Sequence, residues 1–178
     1  MVQYRRNFIP GGTFFFTVTL EDRTSSLLVE QGGLLRDAFR AARAKKPFTL
    51  DAIVILPDHL HTVMTLPPGD SDFPDRWRQI KSYFTRAVVA AGVPLSVNHR
   101  GEYPLWQRRF WEHTIRNERD LERCVDYVHY NPTKHRLVSS PVDWQHTSLH
   151  RYVRGGILPA DWGGSGAMDN DDFGERKD

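Results

Sequence analysis

Apolar side chains follow several different spacings along the chain, and each spacing predicts a separate element. Residues 13–20 form an aromatic and β-branched run, which is typical of a buried strand. Two further apolar segments, residues 48–56 and 59–66, flank a Pro-Asp turn. A turn this short makes the two neighbouring strands an antiparallel hairpin. An aromatic segment at residues 105–115 predicts a fourth strand.

Helical spacing of apolar residues fills the segments between and after these strands. One helix is expected between about residue 26 and Pro47, and a second between residues 70 and 91. A short helix is expected within residues 144–152. These helices have one apolar side each, so we expect them to pack on the sheet.

A further helix begins after Asn117, whose side chain is a good N-terminal cap. We expect this helix to stop near Asn131, because Pro132 disfavours α geometry in the residue before it. The resulting order, β-α-β-β-α-β-α, predicts an α+β domain. Its core would be a central antiparallel sheet with helices mainly on one face.

The composition limits the type of protein. A chain of 178 residues fits one domain, and its single cysteine, Cys124, excludes an intramolecular disulfide and a cysteine-cluster zinc site. No segment approaches the ~20 apolar residues that span a bilayer, and the first residues lack the apolar run of a signal peptide. We therefore expect a cytoplasmic protein with no membrane partner.

Charge is distributed unevenly along the chain. Residues 1–154 carry a net charge of +6, whereas residues 155–178 carry −4 and are rich in Gly and Asp. A basic domain followed by an acidic, flexible tail is expected, and a basic domain favours a polyanionic partner. The tail is either a solvated terminus or a phosphate mimic that lies over the basic site.

The sequence His59-Leu60-His61 begins the third predicted strand. Residues i and i+2 of a strand point to the same face, so both imidazoles can converge on one metal ion while Leu60 faces the core. A His-x-His pair alone does not distinguish a metal site from structural histidines. Its position after a tight turn on a central strand favours neither reading decisively.

The helix after Asn117 presents a second candidate group. Tyr127 and Asn131 are four residues apart and lie on one line at the edge of its apolar stripe, whereas Tyr130 projects nearly opposite the stripe. Tyr127 and Asn131 can therefore reach a strand face such as that of His59 and His61. From spacing alone, an ordinary interface tyrosine and a helix-capping asparagine are the favoured explanation.

Taken together, five motifs resemble those of the REP-associated tyrosine transposases, single-tyrosine enzymes of the HUH class that act on repetitive extragenic palindromes. The resemblance extends from about residue 4 to about residue 162, and the stretch after Trp162 matches no part of it. The motifs are Tyr4-Arg5-Arg6, Leu56-Pro57-Asp58-His59-Leu60-His61, Arg76-Trp77-Arg78-Gln79-Ile80-Lys81, Trp106-Gln107-Arg108-Arg109-Phe110-Trp111-Glu112-His113 and Asp126-Tyr127-Val128-His129-Tyr130-Asn131-Pro132-Thr133-Lys134-His135.

The resemblance implies a ferredoxin-like, RRM-like HUH domain that cuts and transfers single-stranded DNA at hairpins through a covalent 5′-phosphotyrosine. It implies that His59 and His61 are the HUH pair, that Asn131 is the third metal ligand and that Tyr127 is the nucleophile. The N-terminal segment of Tyr4, Arg5 and Arg6 would help to read bases that flank the hairpin.

The chemistry of this reaction adds expectations about cofactor and DNA contacts. Two imidazoles and an amide oxygen suit Mg²⁺ or Mn²⁺, and Mn²⁺ matches imidazole better, while Zn²⁺ would also bind this set. Cations and aromatic rings suit phosphates and unpaired bases. The candidate DNA-binding cations are Arg78, Lys81, Arg108, Arg109, Lys134 and Arg136. Spacing selects none of His113, His129 and His135 for proton transfer.

Two other functions fit parts of the same pattern. One is a hairpin-binding protein on this fold without catalysis, which would bind DNA but form no covalent adduct. The other is a histidine-rich zinc hydrolase, which would use water as its nucleophile and would tolerate Tyr127→Phe. We expect a monomer, with a homodimer as the alternative.

Overall fold

The computed structural model describes residues 6–164. The strands are β1 (Thr13–Thr19), β2 (Thr49–Ile55), β3 (His59–Thr65) and β4 (Trp111–Thr114). The helices are α1 (Leu27–Glu30), α2 (Gly32–Lys45), α3 (Phe73–Ala90), α4 (Glu118–Lys134) and α5 (Leu149–Arg154). One 3₁₀ turn, Pro141–Asp143, precedes α5.

The four strands form one antiparallel sheet in the order β2-β3-β1-β4. The predicted hairpin is confirmed, with the Leu56 amide donating to the His59 carbonyl at 2.9 Å across the turn. In this register His61 lies opposite Thr17 of β1 and Val54 of β2. The α+β class and the antiparallel sheet are therefore confirmed, and His61 lies in the middle of the sheet.

Both faces of the sheet are buried, which explains the unbroken apolar run of β1. Phe14 and Phe16 point into a core formed with α2 and α3, whereas Phe15 points to the opposite face, beneath α4. The helices α1, α2 and α3 share the first face, in line with the expectation of helices mainly on one side. The second face carries His61, and of the long helices within residues 6–164 only α4 covers it.

Two predicted boundaries were wrong. The helix α4 does not stop at Asn131 but continues through Pro132 to Lys134. Proline in the last turn costs a single intrahelical hydrogen bond, and the end is closed instead by a Schellman motif. In that motif the Leu137 amide donates to the Pro132 carbonyl at 2.9 Å, and Arg136 adopts a left-handed φ of 57°.

The second wrong boundary is that of the fourth strand, expected over residues 105–115. Only Trp111–Thr114 pairs with β1, and Trp106 makes an isolated bridge to Leu20. Exposed Arg108 and Arg109 occupy the segment between them. Two adjacent charged residues have no buried face to occupy, so the ladder is interrupted there.

The segment after the 3₁₀ turn covers the outer edge of β2. The Ile55 amide donates to the His146 carbonyl and the Ser148 amide to the Ile53 carbonyl, both at 2.8 Å. The Ser148 hydroxyl accepts the Ile53 amide and bonds Nε2 of His129 on α4, again at 2.8 Å in each case. These hydrogen bonds pair backbone groups at the outer edge of β2 and join that strand to α4. Beyond α5, Trp162 lies 6.0 Å from His129, ring centre to ring centre.

His129 should make the protein sensitive to acid. Burial, followed by the nearby charges of Arg151 and His150, lowers its pKa to about 3. The unfolded chain takes up this proton near pH 6.5, so stability is full above that pH and is lost as the pH falls toward 3. As the pH falls from 6.5 to 5, we expect His129 to lower the free energy of unfolding by about 2 kcal/mol.

Urea denaturation across this pH range tests the expectation. His129→Gln keeps an acceptor for Ser148 but cannot be protonated, so its stability should fall less steeply with acid than that of the wild type. Exposed His99 provides a control, because His99→Gln should follow the wild-type profile. Parallel profiles for all three proteins would contradict the role given to His129.

Among the described residues, no helix combines the length and the apolar character that crossing a bilayer would require. The cytoplasmic location stays a prediction.

Candidate active site

The two histidines of β3 form the centre of the candidate site. Their rings lie 5.0 Å apart, centre to centre, and both side chains are buried on the face covered by α4. Nδ1 of His59 bonds the Asp58 carboxylate at 2.8 Å, and Nδ1 of His61 bonds the Thr17 hydroxyl at 2.9 Å. Because these bonds orient both rings through Nδ1, Nε2 is the nitrogen with which each can ligate a metal ion.

Asp58 is held as a carboxylate. Its burial opposes ionisation, but hydrogen bonds from His59 and Arg23 outweigh burial and lower its pKa to about 2. A fixed anion on Nδ1 keeps the proton on that side of the His59 ring and makes Nε2 a better electron donor. The turn that begins the hairpin thus also sets the chemistry of the first histidine.

Helix α4 brings Tyr127 to the same place and carries Asn131 one helical turn further along the same line. Its first turn is capped by Asn117, whose side chain accepts the Asp120 amide at 2.9 Å. The Tyr127 ring meets the His61 ring edge-on at 5.3 Å, and Tyr127 and Asn131 are both buried. Tyr130 lies elsewhere, close to the backbone of Gly163. The structure therefore places Tyr127, and not Tyr130, at the histidine pair.

The last turn of α4 brings two further side chains to the site, where the sequence had named Lys134 only as a DNA-binding cation and His135 only as one of three histidines considered for proton transfer. The Lys134 ammonium donates to the Tyr127 hydroxyl at 3.0 Å and lies 4.6 Å from the centre of its ring. The His135 ring lies 5.1 Å from that of His59. The signal for Lys134 was present in the sequence, since seven residues make two helical turns and return to the line of Tyr127. It was missed because the helix was expected to end earlier.

The candidate DNA-binding cations are not all in one place. Tyr4 and Arg5 lie outside the described residues. The Arg6 guanidinium lies over the Phe110 ring, 4.5 Å from its centre, and the amine nitrogen of Lys81 lies 5.6 Å from the same centre. Phe110 packs against the core on the α3 side of the sheet. Arg6 and Lys81 are therefore grouped around Phe110, in a region separate from the end of α4.

Lys81 is less available than the sequence indicated. Its ammonium donates to the Gln107 carbonyl at 2.9 Å, and burial, together with the charge of Arg6, lowers its pKa to about 8. Arg78 is exposed and pairs with Asp75 one helical turn away. Arg108, Arg109 and Arg136 are exposed, and Arg136 follows Lys134 at the end of α4. Lys134 is thus the predicted cation that the structure brings to the site, through its contact with Tyr127.

Comparisons with known proteins identify the family. A REP-associated tyrosine transposase of Escherichia coli strain K12 is 45% identical over 164 residues, which is 92% of each chain. The chain belongs to the REP-associated tyrosine transposases. A Haemophilus influenzae protein named for the same family is 42% identical over 167 residues, 93% of this transposase and 95% of that protein. No family model matches the sequence.

A solved structure supports the same family. It is described as a REP-associated tyrosine transposase bound to a REP hairpin, is 43% identical to this transposase and covers 99% of both chains. The TM-score of 0.86 shows that the two proteins share the whole fold. The resemblance drawn from the five sequence motifs is therefore confirmed.

Proposed function

We propose that this transposase cuts and rejoins single-stranded DNA beside a hairpin through a covalent bond between Tyr127 and a 5′-phosphate. One observation carries the proposal: α4 packs the Tyr127 ring against His61, 5.3 Å away and next to His59. A nucleophile beside a pair of metal-ligating side chains is the arrangement that phosphoryl transfer to a tyrosine requires.

The proposed partner is hairpin DNA. The solved relative is bound to a REP hairpin, and this transposase shares its fold over nearly the whole chain. The scissile strand must be single-stranded where it enters the site, because a duplex could not bring its phosphate to a buried tyrosine. Exposed Arg108, Arg109 and Arg136 are suited to the phosphates, and Phe110 between Arg6 and Lys81 marks a second basic region.

In the proposed step, the Tyr127 oxygen forms a bond to phosphorus and the bond to the 3′-oxygen breaks. The phenol loses its proton to solvent, and the departing 3′-oxygen takes up a proton to become a hydroxyl. The energy of the broken phosphodiester is kept in the phosphotyrosine, so the free 3′-hydroxyl of the same or another strand can reverse the step without ATP.

His59, His61 and Asn131 would hold the divalent cation. The donor set fits: two imidazoles oriented through Nδ1 and a buried amide side chain on the facing helix. Nitrogen and oxygen donors without a thiolate suit Mn²⁺ or Mg²⁺. When bound, the ion would polarise the phosphate and stabilise charge on the 3′-oxygen.

Lys134 would assist the nucleophile. An ammonium 3.0 Å from the phenolic oxygen favours the phenolate, and it can also attract the phosphate that approaches. We expect Lys134→Met to slow adduct formation on the order of 10- to 100-fold at neutral pH. The loss should shrink toward pH ~10, where a phenol ionises unaided. Single-turnover rates on a hairpin oligonucleotide as a function of pH measure both effects.

Arg136→Asn is the matched control for Lys134→Met. It removes a neighbouring positive charge, and asparagine tolerates the left-handed backbone at this position. Loss of a general DNA contact should weaken binding and leave the pH profile unchanged. If Lys134→Met behaved in the same way as Arg136→Asn, Lys134 would act on DNA affinity and not on Tyr127.

The overall proposal is tested with the full chain, Mn²⁺ and a hairpin oligonucleotide that carries single-stranded flanks. The expected result is a protein–DNA species that survives denaturation, together with a free 3′-hydroxyl fragment. Hairpin binding without any such species would favour the non-catalytic alternative. Cleavage that yields only free ends and persists in Tyr127→Phe would favour hydrolysis by water.

A further inference from the structure

A second group of ligand-type side chains lies between β4 and α4. His113 on β4 and Asp120 and Cys124 on α4 offer a nitrogen, an oxygen and a sulfur atom that all lie within 4.8 Å of one another. Among the described residues this is the group of His, Cys, Asp and Glu side chains that meets such a limit. It has no residue in common with the histidine pair.

Local structure preorganises this group. Asp120 and Cys124 are one helical turn apart and lie on the same line of α4. Nε2 of His113 bonds both oxygens of Asp120, at 3.0 and 2.9 Å, and the Arg116 amide donates to the same carboxylate at 3.0 Å. The carboxylate is therefore oriented by the backbone in the way that outer partners orient metal ligands.

Burial differs among the three side chains. Cys124 is completely buried, whereas His113 and Asp120 keep 24% and 15% of their side-chain surface exposed. The sulfur atom thus lies at the inner end of the group, and solvent reaches the outer end. An ion could enter from the outside and retain one water molecule as its fourth ligand.

We propose that His113, Asp120 and Cys124 bind a zinc ion. Thiolate, imidazole and carboxylate are the three ligand types that Zn²⁺ takes in proteins, whereas Mg²⁺ avoids sulfur. Zinc bonds of about 2.0–2.3 Å place tetrahedral ligand atoms about 3.3–3.8 Å apart. The His113 nitrogen and an Asp120 oxygen, now 2.9 Å apart, would separate slightly, and the Cys124 sulfur, within 4.8 Å of both, would move by no more than about 1.5 Å. Binding releases the thiol proton to solvent, and the Nε2 proton of His113 moves to Nδ1 or to solvent.

The bound ion would join β4 to the first half of α4. Cys124 lies one helical turn before Tyr127, so the ion would fix the part of α4 that leads to the proposed nucleophile. This role is structural and does not depend on the proposed function. The zinc site and the nuclease activity can therefore fail separately.

Cobalt spectroscopy on the full chain tests the site. Metal-free protein carrying His59→Ala and His61→Ala, which removes the other cation site, is titrated with Co²⁺. Because the chain has a single cysteine, thiolate-to-cobalt charge-transfer absorption can come only from Cys124. We expect this absorption to saturate at one equivalent of Co²⁺ and to disappear when Zn²⁺ is added.

Two variants complete the test. Asp120→Asn should weaken cobalt binding at least ~10-fold, and its control, Asp126→Asn on the same helix, should not. Cys124→Ser should abolish the charge-transfer absorption; if that variant does not fold, Asp120→Asn still decides. Absence of charge transfer, or equal affinities for the two Asp→Asn variants, would overturn the proposal and leave a hydrogen-bonded His113–Asp120 pair that joins β4 to α4.

Discussion

Tyr127→Phe is expected to abolish the covalent protein–DNA adduct and to lower strand cleavage by at least ~10³-fold. The change removes the proposed nucleophilic oxygen and keeps the ring that packs against Phe15 and His61, so the fold should be unaffected. Denaturing gels with a labelled hairpin oligonucleotide measure the adduct. Thermal unfolding of the same preparation checks that the protein is folded.

Tyr130→Phe is the matched control for this prediction. Tyr130 lies on the same helix but beside Gly163, away from the histidine pair. The variant should form adduct at close to the wild-type rate. An adduct that persists in Tyr127→Phe and disappears in Tyr130→Phe would mean that the helix presents the other tyrosine to DNA.

His59→Ala is expected to have the second-largest effect. It should lower metal-dependent cleavage by at least ~10²-fold, because one of the proposed metal ligands is removed together with its bond to Asp58. Hairpin affinity should change much less, since phosphate contacts supply most of the binding free energy. Cleavage rates at several Mn²⁺ concentrations measure the first effect, and hairpin affinities in the presence of a chelator measure the second.

The neighbouring His135 makes this prediction more specific. Its ring lies 5.1 Å from that of His59, so it competes with Asn131 as the candidate third ligand. If Asn131 is the ligand, His135→Ala should cost less than ~10-fold in rate, whereas Asn131→Ala should resemble His59→Ala. The reverse order would assign the third position to His135. Equal DNA affinity and equal cleavage in His59→Ala and the wild type would contradict the metal site itself.

Much of the fold could be predicted because its signals are local. The Pro-Asp turn between two apolar segments determines the β2–β3 hairpin, and strand alternation places His59 and His61 on one face. Helical phase places Tyr127 nearer the apolar stripe of α4 and Tyr130 nearly opposite that stripe. Each of these inferences depends on fewer than about 20 consecutive residues, over which backbone geometry alone decides where a side chain points.

Other features depend on contacts between distant parts of the chain. The sequence does not indicate that Ser148 satisfies the Ile53 amide, 95 residues away. It also does not indicate that Lys81 donates a hydrogen bond to the Gln107 carbonyl, because a single lysine in a sequence predicts only an exposed charge. Only tertiary packing shows which face of the sheet α4 covers, and that choice brings Tyr127 to His61.

The proline rule shows how a correct preference can mislead. Pro132 disfavours helix in the residue before it, yet the packing of α4 on the sheet keeps Asn131 helical and buried. The three additional helical residues include Lys134, which contacts the Tyr127 hydroxyl. Because the helix was expected to end one turn earlier, Lys134 was predicted only as a DNA contact and not as a neighbour of the proposed nucleophile.

The most direct test of the proposed mechanism is to locate the covalent bond. Adduct formed by the full chain with Mn²⁺ and a hairpin oligonucleotide is digested with protease and nuclease, and the modified peptide is sequenced by mass spectrometry. We predict a nucleotide 5′-phosphate attached to Tyr127. Attachment to another residue, or complete cleavage of the oligonucleotide with no modified peptide, would contradict the mechanism.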